Sequence, residues 1–595
     1  MPLGISLWHT ICLSFKETSM AKPRHMASAT RPATYMQEMA TKREQIDESS
    51  YEQGISPDLT TAIQTSDGDP SSAESIGKSA ALMSVLVIIS RITGFLRTWG
   101  QVFAMGVTVT ASCYTVANNL PNQLYELVMG GMLVTAFLPV YLSVKRDEGR
   151  EAANLYTSNL ISLVFLIMGA VCLLGIIFAS QVVWTQSFGA NHEFDHGLAV
   201  YFFRFFAIEV VLYALSTIVS GVLNAERDYL MSSAAPIFNN VVVTASFFLY
   251  AFLLPHNMTL ALLVLALGNP LGVLIQVLIQ LPSLKRHGVT LKFYVDVRDV
   301  HLKETLSIGV PSLIVTVVMF VTVSVQTSSA LSVSVAGSSI AYYTRLWYTL
   351  PYSILAIPIT TAMFTELSER VSHHDMDGYV RGVILGSSEI AFFLIPCALL
   401  LIVFARPLIV ILAAGKLSQG DIAMTVSYLR TLSLSLPFFG ICTYLQKVCS
   451  SLRKMKVFAV ANVIAGIIQV AFCLALTPVF GLNIVALSSL FFFIAVDVVT
   501  FVTLKTMLPQ LRPSALILSS GKSLLLGVAG SAVGMGLLQL LSRSAGDIGL
   551  SVGKSFLYCL AAGLPALLVV FAMAVAVNME EAVPLKSMLS RFRRA

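Results

Sequence analysis

From Lys78 onward, the chain alternates between long apolar blocks and short polar stretches. The blocks run for about 20 to 30 residues, which is the length that an α-helix needs to cross a hydrocarbon core about 30 Å thick. A membrane β-barrel would show a weaker alternation over segments of about ten residues. The pattern therefore predicts an all-α polytopic membrane protein. Fourteen spans are predicted, centred near residues 90, 128, 170, 210, 242, 270, 317, 351, 393, 436, 467, 493, 531 and 566.

The composition favours the same class of protein. Hydrophobic residues make up 56% of the 595 residues and charged residues 12%, and the mean hydropathy is +0.78. Soluble proteins carry nearer about 25% charged residues. The eight cysteines are scattered without a CxxC pair, so we predict neither a disulfide framework nor a metal centre. No Walker A loop and no GxSxG motif occurs, so neither an enzyme nor an ATP-driven pump is predicted.

Basic residues divide the loops into two sets. The loops after spans two, four, six, eight, ten and twelve carry, with their flanks, eighteen Lys and Arg: Lys145, Arg146, Arg150, Arg227, Lys285, Arg286, Lys292, Arg298, Lys303, Arg370, Arg381, Lys447, Arg453, Lys454, Lys456, Lys505, Arg512 and Lys522. The alternate loops carry far fewer, among them Arg406, Lys416 and Arg543. By the positive-inside rule the first set is cytoplasmic, which places both termini in the cytosol of a protein of the cytoplasmic membrane. The net charge of +6 is thereby assigned to membrane topology, and nucleic acid is not expected as a partner.

The longest cytoplasmic connection, residues 284–304, divides the first twelve spans into six and six. Equal halves joined by a basic loop are typical of transporters built from parallel repeats, with a substrate site between the lobes at the membrane midplane. The predicted segments are a disordered cytosolic tail (1–75), an N-lobe of spans one to six (76–284), a cytoplasmic inter-lobe loop (285–304), a C-lobe of spans seven to twelve (305–508), spans thirteen and fourteen (509–579) and a basic cytosolic tail (580–595).

Ionisable residues inside the spans mark the candidate site, because an ionisable group facing lipid costs about 2.5 to 3.5 kcal/mol even on the most lenient scale. Arg91 and Arg97 lie in span one, and Arg91 is about 20 Å along the helix from Lys78 at 1.5 Å per residue. Arg204 lies in span four and Arg345 in span eight. We expect these arginines to face a cavity.

Span two carries a polar stripe. Asn118, Asn122 and Glu126 recur every four residues and so share one helix face, which most simply lines water. Other acids embedded in the spans are Glu209, Glu389 and Asp497.

Each of these signals has an alternative structural interpretation. Arg97 and Arg204 could lie at the membrane interface or be satisfied by helix carbonyls, and Glu209 and Glu389 could pair internally to hold the lobes together. Helix breaks are predicted at Pro121, at Pro351 and Pro358, and at the pair Gly130–Gly131, since breaks in membrane helices often accompany a site and also serve close packing.

Five sequence segments carry a specific resemblance to a known family. They are SRITGFLR, NNLPNQLYELVMGGMLVTAFLPVY, SGVLNAERDYLMSSAAPIFNN, SIGVPS and YYTRLWYTLPYSILAIPITTAMFTELSER. Together they resemble the MurJ (MviN) family of lipid II flippases, in the same order and at the same spacing from about residue 78 to about residue 580.

The resemblance implies the multidrug/oligosaccharidyl-lipid/polysaccharide exporter fold, in which two six-helix lobes and two C-terminal helices give alternating access to a cationic central cavity. It matches Arg91 and Arg97 to the family's cavity arginines of span one, and Arg204 to a basic residue of span four. Arg345 stands one position out of register with the family's arginine in span eight. Some family members bind sodium between spans seven, eleven and twelve, and Asp497 is the only acidic candidate here.

The chemistry of these residues suits a pyrophosphate-linked lipid. The planar fork of arginine binds phosphate through two charge-assisted hydrogen bonds and does not deprotonate. Glu126 and the two asparagines of the stripe are expected to bind sugar or peptide groups, and spans thirteen and fourteen to form either a groove for a polyprenyl chain or only packing helices. Expected partners are lipid II, membrane lipids and the cell-wall synthesis machinery. No cofactor is predicted, and sodium, a proton or the membrane potential is the expected driving force.

Two other functions compete with export of lipid II. A related drug/cation antiporter or polysaccharide-lipid flippase is one, although a site for organic cations would need acids and aromatic residues where this chain has arginines. A non-transporting scaffold of the cell-wall machinery is the other, but it would need no charges inside the membrane.

Overall fold

The computed structural model describes residues 70–129, 133–413, 415–577, 579 and 581. The described residues form α-helices joined by short connections, and they contain no β-strand. The all-α fold class predicted from hydropathy is confirmed. The predicted N-terminal tail up to residue 69 and the Arg591, Arg593, Arg594 cluster of the C-terminal tail lie outside the described residues.

Ten helices come from the first half of the chain. They are α1 (Pro70–Met105), α2 (Val109–Met129), α3 (Leu133–Asp147), α4 (Arg150–Ile177), α5 (Ala179–Trp184), α6 (His196–Phe206), α7 (Glu209–Ala225), α8 (Tyr229–Leu253), α9 (Met258–Leu278) and α10 (Leu281–Arg286). Side-chain caps fix two of their starts, because Asp195 accepts from the backbone N–H of Leu198 at 2.8 Å and Asn257 from that of Leu260 at 3.0 Å.

Ten more helices follow. They are α11 (Val300–Val333), α12 (Gly337–Pro351), α13 (Ile357–Ser372), α14 (Met376–Ala413), α15 (Gln419–Ser433), α16 (Leu436–Ser451), α17 (Met455–Phe480), α18 (Leu482–Met507), α19 (Pro513–Ala545) and α20 (Val552–Ala576).

Eleven helical stretches of the described residues are long and apolar enough to cross a membrane. The number is twelve if α15 and α16, which meet at an angle of 47°, form one bent span. These twelve coincide one by one with predicted spans three to fourteen. Predicted span one falls on α1, and predicted span two falls on α2 with α3. These helices are not among the twelve stretches. The total of fourteen therefore stays a prediction.

Two large clusters of buried apolar side chains stabilise the helices. One draws on residues between 105 and 289, with Leu331 from α11 added to it. The other draws on residues between 330 and 516. The exact boundaries of the predicted lobes stay a prediction.

The last two helices pack through small residues. A Cβ atom added to Gly530 of α19 would lie 2.3 Å from Val570 of α20, and one added to Gly527 would lie 2.8 Å from Leu399 of α14. In lipid the hydrophobic effect contributes little to the association of helices, so van der Waals contact at glycines, where helices approach closely, is a main source of stabilisation.

Prolines break the helices at some positions and not at others. After Pro351 the chain makes one π-helical turn, Tyr352–Ala356, and α13 starts with Pro358 in its first turn. The break predicted for span eight is therefore present. The one predicted at Pro121 is wrong, because α2 continues through this residue to Met129. The Gly130–Gly131 pair lies outside the described residues.

A charged cluster joins the ends of three helices. Glu226, which follows α7, accepts hydrogen bonds from Lys145 at 2.6 Å, Tyr141 at 2.8 Å and Arg150 at 2.9 Å. Burial raises the pKa of Glu226, but the hydrogen bonds from Lys145 and Tyr141 and the positive charges outweigh it, so the pKa lies below its ordinary value. A lowered pKa means that this stabilisation is present above the pKa of the unfolded chain and is lost as the pH falls.

Candidate functional site

A buried amide joins four helices. The Asn269 side chain of α9 is fully buried, and its Nδ2 donates to Asn118 Oδ1 of α2 at 2.6 Å and to both carboxylate oxygens of Glu209 of α7 at 2.9 Å. Its Oδ1 accepts from Arg97 Nη2 of α1 at 2.8 Å. One amide thus bridges a guanidinium and a carboxyl group, so neither is left without a partner in the apolar surroundings. We call Arg97, Asn118, Glu209 and Asn269 the arginine network.

Two further side chains extend the arginine network. The Tyr213 hydroxyl donates to Glu209 Oε2 at 3.3 Å and interacts with the side chain of Asn122. Asn122 Nδ2 also donates to the backbone oxygen of Asn118 at 3.3 Å, and the Asn122 side chain is exposed. The stripe predicted on span two therefore leads from the buried amide to an accessible surface.

The Arg97 guanidinium is held but not saturated. Its side chain is half-buried, with one nitrogen bonded to Asn269, while its Nε is buried and has no hydrogen-bond partner among the described residues. A guanidinium fixed at one corner, on a side chain that is partly exposed, is suited to an anionic ligand with several acceptor oxygens. Arg97 Nη2 donates to a side chain and not to a helix carbonyl, which does not favour the alternative interpretation in which helix carbonyls satisfy Arg97.

A second pair of charges links the two halves of the chain. Glu126 of α2 and Arg345 of α12 are both exposed and lie close enough to interact electrostatically. The structure thus brings together two groups of predicted site residues, one around Arg97 and one around Arg345.

Arg91 and Arg204 belong to neither group. Both side chains are exposed, and among the described residues no hydrogen bond or ion pair joins them to the arginine network. Their assignment to the site stays a prediction.

Aromatic side chains of α1 and α12 line an apolar cavity. Phe95 of α1 and Trp347 of α12 meet edge to face with ring centroids 5.6 Å apart. They line a cavity of about 500 Å³ together with Leu408 and Ile411 of α14 and with residues of α20 such as Leu564. A second cavity of about 200 Å³ lies between α14 and α20. Predicted span fourteen thus contributes to both of these cavities, whereas the residues that line them include none from span thirteen.

Asp497 of α18 lies apart from both groups. It is 6% exposed, and neither carboxylate oxygen has a hydrogen-bond partner among the described residues. Between predicted spans seven, eleven and twelve, Gln326 donates to Ser488 at 3.0 Å and Gln469 donates to Ser488 at 3.4 Å. Ser488 precedes Asp497 by nine residues of α18, roughly 14 Å along the helix, so these side chains and the carboxylate do not form one ligand set. We derive no step through sodium.

A zinc-protease spacing occurs at the start of α6. His192 and His196 enclose Glu193 in the order HExxH, but His192 lies in the turn before α6 and His196 is its first residue, so the two do not share one helix face. Among the described residues, no group of three His, Cys, Asp or Glu side chains is arranged to hold a metal ion.

Sequence reasoning missed Asn269 and assigned Glu209 only an alternative structural role. Asn269 stands before a proline in the apolar stretch LGNPLG, and a polar residue there is a usable signal. Glu209 does pair internally, as that alternative proposed, but it does so within predicted spans one to six and not between the halves.

The fold and the site define a class of polytopic helical transporters with intramembrane arginines. A solved structure described as the lipid II flippase MurJ in an inward closed conformation matches with a TM-score of 0.67 and 19% identity, over 84% of this chain and 100% of that one. A multidrug resistance transporter of the MATE family, in an inward-facing conformation, matches with a TM-score of 0.57 and 14% identity, over 73% of this chain and 98% of that one. At these identities the likeness shows the fold alone.

Sequence comparison places the chain more narrowly. The family model described as lipid II flippase MurJ matches residues 102–553. A protein named probable lipid II flippase MurJ from Borreliella burgdorferi is 24% identical over 433 residues, which cover 72% of this chain and 83% of the relative. The lipid II flippase MurJ of Burkholderia cenocepacia is 26% identical over 366 residues, 60% of this chain and 70% of the relative. This chain belongs to the lipid II flippase MurJ family, as its sequence segments predict.

Proposed function

We propose that this protein moves lipid II from the inner to the outer leaflet of the cytoplasmic membrane, as a transporter and not as an enzyme. The observation that carries the proposal is the Arg97 guanidinium, which a buried amide orients while the side chain stays partly exposed. Lipid II joins a pyrophosphate to a long polyprenyl chain and a disaccharide-peptide. A fixed guanidinium matches the first of these groups, because it offers paired donors to phosphate oxygens.

The other groups of lipid II fit the neighbouring surfaces. Exposed Asn122 and Glu126 offer hydrogen-bonding groups to sugar or peptide, and Arg345 supplies a second positive charge. The apolar cavity behind Phe95 and Trp347 suits the polyprenyl chain. We assign Arg91 and Arg204 to the path of the head group, on the strength of their position in the spans.

Alternating access requires one side of the protein to close while the other opens. Contacts between the two halves support closure on the predicted outer side. The Gly189 backbone N–H donates to Ser328 Oγ at 2.7 Å, and Asn191 N–H donates to the Leu331 oxygen at 3.0 Å. The Tyr343 hydroxyl donates to the Gly106 oxygen at 2.9 Å. We infer that these bonds break when the head group is released outside.

The driving force and the partners follow as further proposals. A membrane potential is worth about 2.3 kcal/mol per charge per 100 mV, so it acts directly on the charges of an empty cationic cavity and on any counter-ion such as a proton or sodium. Both termini are placed in the cytosol, and the cell-wall synthesis machinery is the expected source and recipient of the lipid.

Replacement of Arg97 tests the proposal. In cells depleted of the endogenous flippase, we expect Arg97→Ala to lower outward movement of lipid II by at least about tenfold, because hydrogen bonds to charged groups contribute about 1.5–3 kcal/mol. Arg97→Lys should restore only part of the activity, since lysine supplies a point charge without the fork. The measurement is the fraction of lipid II that a membrane-impermeant hydrolase reaches from outside intact spheroplasts.

Arg406→Ala is the matched control. Arg406 lies near the end of α14 on the predicted outer side, is exposed and pairs with Asp547 at 3.6 Å, so its loss should leave transport unchanged at equal membrane abundance. Normal outward movement of lipid II in Arg97→Ala cells would refute the assignment of this residue to substrate binding.

A further inference from the structure

An extended segment between α10 and α11 lies along the start of α4. Three of its backbone N–H groups donate to side chains of α4: Lys292 to Ser158 Oγ at 3.1 Å, Tyr294 to Ser162 Oγ at 3.0 Å, and Asp296 to Asn159 Oδ1 at 2.8 Å. Alternate residues of an extended chain point their N–H groups to the same edge, so one edge of the segment is fastened to the helix. We call residues 289–299 the strap.

The strap presents apolar side chains to its surroundings. Leu291, Phe293 and Val295 share one face of the extended chain and are 40%, 74% and 40% exposed. Val297, in the turn that follows, is 65% exposed. Four neighbouring exposed apolar side chains mark a surface that another apolar phase covers.

The basic side chains of the strap are more exposed than its acidic side chains. Lys292 and Arg298 are exposed, whereas Asp296 and Asp299 are half-buried. The carboxylate of Asp299 accepts from Asn159 Nδ2 at 3.0 Å, and that of Asp296 accepts from the Arg298 backbone at 2.8 Å. The Asp299 carboxylate is thus held against α4 and that of Asp296 against the backbone of the strap, so the exposed surface of the strap is mainly apolar and positive.

The position of the strap along α4 indicates its depth. α4 has 28 residues and is about 42 Å long, roughly 12 Å more than the hydrocarbon core. The mainly apolar run of α4 begins at Leu160, so the extra length of about 12 Å lies on the side of Arg150. Ser158, which binds Lys292, is about 12 Å along the helix from Arg150 and thus at the boundary between head groups and acyl chains, and Ser162, which binds Tyr294, is about 6 Å deeper. Phe293, between the two, is therefore at this boundary.

We propose that the strap is a membrane-interface anchor that binds anionic phospholipids of the leaflet on its own side. Phe293 and Val297 enter the acyl boundary, while Lys292 and Arg298 contact lipid phosphates, the arrangement used by interfacial segments that combine apolar and basic residues. This anchor holds the connection between the halves against α4, so that movement of the second half starts from a fixed point. The proposal concerns bulk lipid and does not depend on the flipping of lipid II.

A tryptophan in place of Phe293 tests the anchor. Phe293→Trp, in the otherwise complete chain, is reconstituted into vesicles of phosphatidylcholine and phosphatidylglycerol, and the fluorescence of the parent protein is subtracted. We expect blue-shifted emission, strong quenching by lipids brominated on their acyl chains, and little quenching by iodide. His373→Trp is the control, because His373 is exposed in the connection between α13 and α14 and should respond in the opposite way.

Recognition of charge is tested in the same vesicles. Quenching by brominated phosphatidylglycerol should exceed quenching by brominated phosphatidylcholine, and each of Lys292→Gln and Arg298→Gln should lower this preference by about fivefold. Equal quenching by the two lipids would overturn the anionic preference.

Other outcomes would overturn the anchor itself. Iodide quenching without lipid quenching would place the strap in water. Protection from both quenchers would mean that protein covers it. Val297→Trp provides an independent probe if Phe293→Trp reduces the yield of folded protein, and none of these signals reports on transport.

Discussion

At the scale of single residues, Asn269 determines how Arg97 is presented. Its Oδ1 accepts from the guanidinium, and its Nδ2 donates to Glu209 and Asn118. No smaller or apolar side chain reproduces this arrangement. A buried network of this kind is stable only when each member has a partner. Asn269 therefore acts on the substrate through Arg97, as a positioning residue.

Removal of this amide should weaken substrate binding. We expect Asn269→Ala to reduce the affinity for lipid II by about tenfold or more, because it frees Arg97 and leaves buried polar groups unpaired at about 1–3 kcal/mol each. Affinity is measured on purified protein by titration with lipid II, together with the thermal midpoint of unfolding.

The control for this variant is Asn483→Ala, which removes a more exposed amide that bonds Ser427 at 2.8 Å. A lower midpoint with unchanged lipid II affinity would show that Asn269 is only structural. Glu209→Gln, which keeps the shape of the side chain, should retain more affinity than Asn269→Ala.

At the scale of helices, sequence patterns predicted the spans well and their breaks unevenly. Each span must be long and apolar whatever it packs against, so hydropathy alone located α4 and α20. The effect of a proline depends on the packing around it, and for that reason α2 passes through Pro121 while the chain after Pro351 makes a π-helical turn. The strap was not predicted, because its hydrogen bonds join residues more than 130 positions apart.

The contacts that close the predicted outer side give a prediction at this scale. A Cβ atom at Gly189 would lie 3.2 Å from Ser328 Oγ, within the range of a disulfide between cysteines at these positions. Oxidation of the Gly189→Cys/Ser328→Cys double variant should stop outward movement of lipid II, and reduction should restore it. The measurement is lipid II accessibility from outside, before and after a thiol reductant.

Each single cysteine variant serves as the control, since oxidation should leave its transport unchanged. Complete cross-linking with undiminished transport would show that this contact need not open.

At the scale of the whole molecule, the membrane class and the arginines of the site could be predicted from the sequence, but the partners of these arginines could not. Arg97 stands out because a charge in an apolar block is rare. Its partner Asn269 is 172 residues away, and the packing of α1 against α8, and of α8 against α9, brings the two together. The proximity of Glu126 to Arg345 likewise depends on how the two halves meet.

The orientation of the molecule in the membrane is the last prediction. The asymmetry of basic residues places the loop after α10 and the connection between α13 and α14 in the cytosol, and the loop after α5 and the end of α19 outside. Lys285→Cys and His373→Cys should therefore resist a membrane-impermeant thiol reagent in intact cells, whereas His192→Cys and Ser544→Cys should react. All four side chains are exposed. We avoid Gly149 and Gly546, whose φ angles of +89° and +82° would strain a cysteine.

Lysed cells are the control, because all four cysteines should then react. Reaction at Lys285→Cys in intact cells would reverse the orientation, and with it the direction of movement proposed for lipid II.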